Sequence, residues 1–96
     1  MPYAPKLVLR LPLSDEGALR PFVEACLRDR VELIAVSGVG AEQVEDLIDD
    51  LVVGDGSDST RFICTSAHPD ETLEDALEFA FSFKTGHGEE VEQVTL

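Results

Sequence analysis

The stretch Glu32-Leu-Ile-Ala-Val-Ser37 constrains the fold of this chain more than any other. Four consecutive apolar residues leave no polar side to face water. Strands of that kind are buried on both faces, as in parallel sheets covered by helices above and below. The flanking segments supply the covers. Leu19, Phe22, Val23, Cys26 and Leu27 recur at i, i+3, i+4, i+7 and i+8, the stripe of an amphipathic helix. Pro21 is tolerated only in a first helical turn, where N–H groups have no intrahelical partner, so this helix is expected to start near Ala18. A second helix is expected over Ala41–Val53. It buries Val44, Leu47, Ile48, Leu51 and Val52 and turns Glu42, Glu45, Asp46, Asp49 and Asp50 outward.

Further strands are predicted at Leu7–Leu11, Arg61–Thr65 and Val91–Leu96, with a third helix over Asp70–Lys84. Pro69 suits the first helical position, Asp70 and Glu71 complement the positive end of the dipole, and Lys84 the negative end. Strand–helix alternation with right-handed crossovers makes the joined strands parallel. The expected fold is a single α/β domain over residues 1–96: a small three-layer α/β/α sandwich with a four-stranded, mostly parallel sheet in βαβαβαβ order. Strand orders 2-1-3-4 and 3-2-1-4 both satisfy the pattern. Lys6 and Arg10, near the two ends of the first strand, sit awkwardly with a central place for it.

A chain of 96 residues supports one core and little room for a deep enclosed pocket. Its longest apolar runs fall far short of the roughly 20 residues that span a bilayer. Met1-Pro-Tyr-Ala-Pro5 has no apolar core segment of a signal peptide, so a cytoplasmic location is expected. Cys26 and Cys64 read as small core residues with free thiols. No cysteine–histidine cluster points to a metal.

Charge is distributed unevenly. Residues 1–40 hold five acids and five bases, whereas residues 41–96 hold fifteen acids against Arg61 and Lys84, which accounts for the formal net charge of −13. Such a surface attracts cationic partners and repels nucleic acid and anionic membranes. On the second helix, acids at i+3 and i+4 repel one another with no base between them, and Asp49 and Asp50 approach the unfavourable end of the dipole.

Motifs for chemistry are sparse. Gly38-Val-Gly40 follows a strand, but Gln43 occupies the third glycine position and Glu42 would repel a pyrophosphate. Asp55-Gly-Ser-Asp58 is a fragment of a calcium loop, with Ser66 where the bidentate glutamate belongs, and reads as a solvated turn. In open α/β sheets ligands bind beyond the carboxyl ends of the strands. There the chain gathers Ser37, Gly38, Gly40, Thr65, Ser66 and His68 as a candidate small-molecule site. His68 is a base for a hydroxyl there, with Asp70 or Glu71 to orient it, or a local helix flank. His87, between two glycines, reads as an exposed turn residue. Phe79 and Phe83 either line a dimer interface or pack under a neighbouring segment such as Met1–Pro5.

The block Val53-Gly-Asp-Gly-Ser-Asp-Ser-Thr-Arg-Phe-Ile-Cys-Thr-Ser-Ala-His-Pro-Asp-Glu-Thr-Leu-Glu-Asp-Ala76 resembles one found in a family of small bacterial proteins of unknown function. Leu33-Ile-Ala-Val-Ser-Gly38 and Val44-Glu-Asp-Leu47 are similar too. The resemblance spans residues 31–83, brings no activity, and draws attention to Gly54–Asp58 and Thr65–Pro69. The first expectation for function is a non-enzymatic, acidic interaction module binding a basic protein through Glu42, Glu45, Asp46 and Asp49 with Glu74, Asp75 and Glu78. Immunity proteins and antitoxins offer an analogy from charge alone. The alternative is a small-molecule-binding protein or enzyme at the strand ends around Ser37, Ser66 and His68. A homodimer through the third helix or an edge strand is the third. No cofactor, metal or catalytic residue is assigned.

Overall fold

A computed structural model describes residues 2–86 and 88–96, so Met1 and His87 lie outside the described residues. Four strands, β1 (Lys6–Arg10), β2 (Leu33–Ser37), β3 (Cys64–His68) and β4 (Val91–Thr95), form one sheet in the order β3-β2-β1-β4. Every neighbouring pair is parallel. Helices α1 (Leu19–Arg28), α2 (Ala41–Val53) and α3 (Leu73–Ser82) alternate with the strands. This is the small α/β fold expected from the alternation, and of the two strand orders left open it is 3-2-1-4.

The layers follow from which side chains each helix buries. Ile48 and Val52 of α2 join Leu19, Phe22, Val23 and Cys26 of α1 over Leu7, Leu9, Ile34 and Val36 on one face of the sheet. Ala76 and Ala80 of α3 cover Val8, Leu33 and Ala35 on the other. β2 is buried along its whole length, as its apolar run requires. Tyr3 packs edge-on against Phe22, ring centroids 5.4 Å apart, so the N-terminal segment lies against α1. Phe79 and Phe83 instead contact each other, Phe79 also meets the His68 ring, and Phe83 joins the core under α3. Cys26 and Cys64 are free thiols belonging to opposite sides of the sheet.

Lys6 resolves the awkwardness of a charged central strand. Its side chain has no exposure. Its Nζ donates to the carbonyls of Phe81 (3.3 Å) and Phe83 (3.0 Å) and to Glu89 Oε2 (3.3 Å). The buried ammonium thereby satisfies carbonyls at the end of α3 that have no intrahelical donor. Lys84, expected in that role, lies beyond the helix, which ends at Ser82. The start of α3 also differs from expectation. Thr72 is the N-cap, in a capping box with Asp75, so Pro69, Asp70 and Glu71 precede the helix.

β3 begins three residues later than expected. Arg61 is drawn out of the strand because its guanidinium turns back onto α2. Nε donates to the Val52 carbonyl at 2.8 Å and Nη2 to that of Leu51 at 2.8 Å. The same guanidinium holds Glu24 of α1 through two further hydrogen bonds, at 3.1 and 2.7 Å. α2, with no base of its own, thus has its C-terminal carbonyls satisfied from the loop that follows it, as a cation there should do. No helix among the described residues is long and apolar enough to cross a membrane.

Candidate functional site

The chemistry-bearing side chains gather along β3, which lies at the edge of the sheet. Successive strand residues face opposite sides, so β3 presents two different surfaces. Ser66 and His68, paired in register with Ala35 and Ser37, stand on the α3 side. Thr65 stands on the α2 side, where its Oγ1 lies 2.9 Å from Glu45 Oε2 and 2.7 Å from Asp49 Oδ1.

On the α3 side a hydrogen-bonded chain runs Ser66–His68–Glu71. Ser66 Oγ is 2.9 Å from His68 Nε2, and His68 Nδ1 is 2.8 Å from Glu71 Oε2. A carboxylate at Glu71 only accepts, so the His68 tautomer that carries its proton on Nδ1 donates to Glu71 and leaves Nε2 to accept from the Ser66 hydroxyl. That is the polarity a serine nucleophile needs. The surroundings are wrong for it. His68 is 6% exposed, its ring lies 4.9 Å from that of Phe79, and its carbonyl accepts the Gly38 N–H. The chain of hydrogen bonds therefore locks the end of β3 to the loop before α3.

Of the six strand-end residues, the fold brings Ser37, Gly38, Ser66 and His68 together and puts Thr65 on the opposite face. Gly40 begins α2 with φ of 86°, a left-handed conformation that favours glycine. Gly38 has φ of 123°, and a Cβ there would come within 3.1 Å of Leu11 Cβ. The Gly-Val-Gly spacing thus serves a tight turn between β2 and α2.

The seven carboxylates expected to meet a partner do not share one layer. Glu42, Glu45, Asp46 and Asp49 ride on α2, and Glu74, Asp75 and Glu78 on α3, across the sheet. None forms an ion pair among the described residues, where the pairs are Lys6–Glu89, Arg28–Asp29 and Arg61–Glu24.

A groove of about 640 Å³ lies beside the Gly54–Asp58 loop and includes Arg20, Glu24, Asp50 and Arg61. The two aspartates of that loop are occupied locally. Asp55 accepts from the backbone N–H and hydroxyl of Ser57, and Asp58 from those of Thr60. These hydrogen bonds hold both carboxyls below their usual range. Loops of this kind are Asx turns. Among the described residues no group of three or more His, Cys, Asp or Glu side chains is arranged to hold a metal ion.

A family model described as a domain of unknown function, DUF7684, matches residues 3–96. The chain belongs to that family. No curated protein and no solved structure matches it significantly. The match covers every strand of the sheet and the helices α1, α2 and α3. Arg61 and Lys6 are the residues of this DUF7684 domain that sequence reasoning missed. Both read as strand residues, and a side chain that folds back onto the preceding helix (Arg61) or reaches one remote in sequence (Lys6) leaves no local periodicity to detect.

Proposed function

We propose that this domain is a non-enzymatic, acidic interaction module of the bacterial cytoplasm that binds a basic protein partner. The supporting observation is the unneutralised acidic flank of α2. Glu42, Glu45, Asp46 and Asp49 lie within two turns of one helix, and no base among the described residues pairs with any of them. Bases exist elsewhere in the molecule. Arg61 serves the end of this same helix, yet its carboxylate partner is Glu24 of α1. Like charges at i+3 and i+4 cost roughly a few tenths of a kcal/mol per pair, and a cationic partner removes that cost. The acids of α3 form a second, separate contribution, because they sit on the far layer. The alternative at the strand ends depends on His68, whose ring nitrogens are both engaged and which is buried.

The test is a partner recovered at low ionic strength and titrated with salt. Steered, charge-driven association weakens steeply between about 0.05 M and 0.5 M salt. Converting Glu42, Glu45, Asp46 and Asp49 to their amides should abolish capture while leaving the circular dichroism spectrum unchanged. Converting Glu74, Asp75 and Glu78 should have the smaller effect. A partner held equally at both salt concentrations, or by the α2 amide variant as tightly as by the native chain, defeats the proposal. Measurement of solution mass distinguishes binding of a partner from self-association.

A further inference from the structure

We infer that the free edge of β3 accepts an extended, basic segment of the partner as a fifth strand of the sheet, an inference that rests on the interaction-module reading above. The backbone directions are fixed by two hydrogen bonds. Cys64 N–H donates to the Glu32 carbonyl (3.0 Å), and the His68 carbonyl accepts from Gly38 N–H (3.2 Å). Cys64, Ser66 and His68 therefore turn their backbone groups toward β2, and Thr65 and Ala67 turn theirs outward. Among the described residues no strand pairs with that side. Such a row of free donors and acceptors is a template for another strand.

Edges of this kind are commonly blocked by lysine, proline or a bulge. Cys64-Thr-Ser-Ala-His68 contains no lysine, arginine or proline and is paired residue for residue with β2. What borders the edge instead is negative charge. On the α2 side, Glu45 and Asp49 both approach Thr65 Oγ1. A hydroxyl has one proton, so it cannot donate to both carboxylates at once. On the α3 side stands Glu71. A second copy of this chain would bring the same carboxylates against themselves, which selects against self-pairing. A strand bearing lysine or arginine is complemented. An added strand lies about 4.8 Å from β3 with its side chains alternating between faces. The basic positions belong beside Thr65, within reach of Glu45 and Asp49, and the intervening positions face His68 and Phe79, which suit an apolar residue. The recognised segment is therefore basic at every second residue.

Three blocked octapeptides of equal charge test this: one alternating lysine and valine, one with the lysines and valines in separate blocks, and the alternating one N-methylated at every amide, which blocks both of its edges. The alternating peptide should bind the native domain about tenfold more tightly than either control, and should slow hydrogen exchange at the Thr65 and Ala67 amides. Equal binding of all three, or exchange protection that misses Thr65 and Ala67, overturns strand addition but leaves the interaction module standing. No binding by the alternating peptide at low salt also overturns it, as does a dimer of the chain that the peptide dissociates from this edge. The interaction-module reading stands or falls separately, on the salt titration and the α2 amide variant.

Discussion

The two faces of the sheet are covered unequally. Under α1 and α2 lies a continuous apolar cluster that runs from Leu7 and Leu9 through Phe22, Val23 and Ile34 to Ile48 and Val52. Under α3 the buried cluster is Val8, Leu33, Ala35, Ala76 and Ala80, most of them small. Each face nonetheless has an acidic helix whose C-terminal carbonyls are satisfied by one cation from elsewhere in the chain. On the well-covered face that cation is Arg61, at the surface, with a bidentate carboxylate. On the thin face it is Lys6, fully buried. Where apolar area is plentiful a polar cap is an accessory to packing. Where it is scarce the cap is one of the main attachments of the helix.

The first way to break that contrast is to remove Lys6. Lys6→Ala empties a buried volume and strips the donor from the Phe81 and Phe83 carbonyls. Cavity and desolvation terms together give a loss of about 3–5 kcal/mol. Domains of this kind have about 5–15 kcal/mol in total. Lys6→Met keeps most of the volume and loses only the donor, about 1–3 kcal/mol. Urea denaturation measures both, and hydrogen exchange should show α3 opening first. If both variants unfold at the native midpoint, the ammonium contributes nothing and α3 is held by its small apolar patch alone.

The thiols sharpen the same contrast from inside. Cys26 is buried under α1, and burial, with Asp29 and Glu92 nearby, pushes its thiol up to about 12. The folded domain therefore keeps a proton that the unfolded chain gives up above its ordinary value near 9. The sign is fixed: this contribution is fully present below pH 9 and is lost as pH rises toward 12, by up to about 1.4 kcal/mol per pH unit. Cys26→Ala should flatten that alkaline decline. Cys64, half-buried at the start of β3, should react with a thiol reagent in the native domain, while Cys26 reacts only on unfolding. Equal labelling rates would mean that the α1 side opens as readily as the edge strand.

These contrasts also show what the sequence carries. The stripe from Leu19 to Leu27 and the run from Leu33 to Val36 were legible because periodicity reports one face or two faces of burial directly. The start of β3 was not legible. Arg-Phe-Ile has good strand propensity, and only the reach of Arg61 to Val52, Leu51 and Glu24 removes it from the ladder. The three-residue shift then decides the site. Ser66 and His68 lie beyond the expected end of the strand at Thr65, and only the shift to Cys64–His68 makes them strand residues two apart on one face. That Thr65 belongs with Glu45 and Asp49 required knowing which helix lies over which face. The seven acids were divided between two layers for the same reason: the direction of each crossover is not written in local composition.

Arg61 offers the smallest effect and the most specific one. Arg61→Ala should lower Tm by a few degrees, because α2 keeps its apolar anchors Ile48 and Val52. Glu24→Gln should lower it less, since the two carbonyl contacts remain. The pH dependence separates the pair. The hydrogen-bonded guanidinium holds the Glu24 carboxyl below its ordinary range. A depressed carboxyl contributes stability above its unfolded value, and that contribution is lost as pH falls through the folded one. Asp29, lowered by the Tyr3 N–H and by Arg28, and Asp55 and Asp58, lowered within their turns, have the same sign. The native domain should therefore lose stability below about pH 4.5, near the ordinary carboxylate value. In Arg61→Ala the Glu24 share of that loss is gone, so the acid limb is shallower from a lower starting point. In Lys6→Met the Glu24 share remains and the limb keeps it. If thermal melts from pH 7 to pH 3 give Arg61→Ala a limb parallel to that of the native domain, Glu24 is not held by Arg61 in solution, and the end of α2 is satisfied by water.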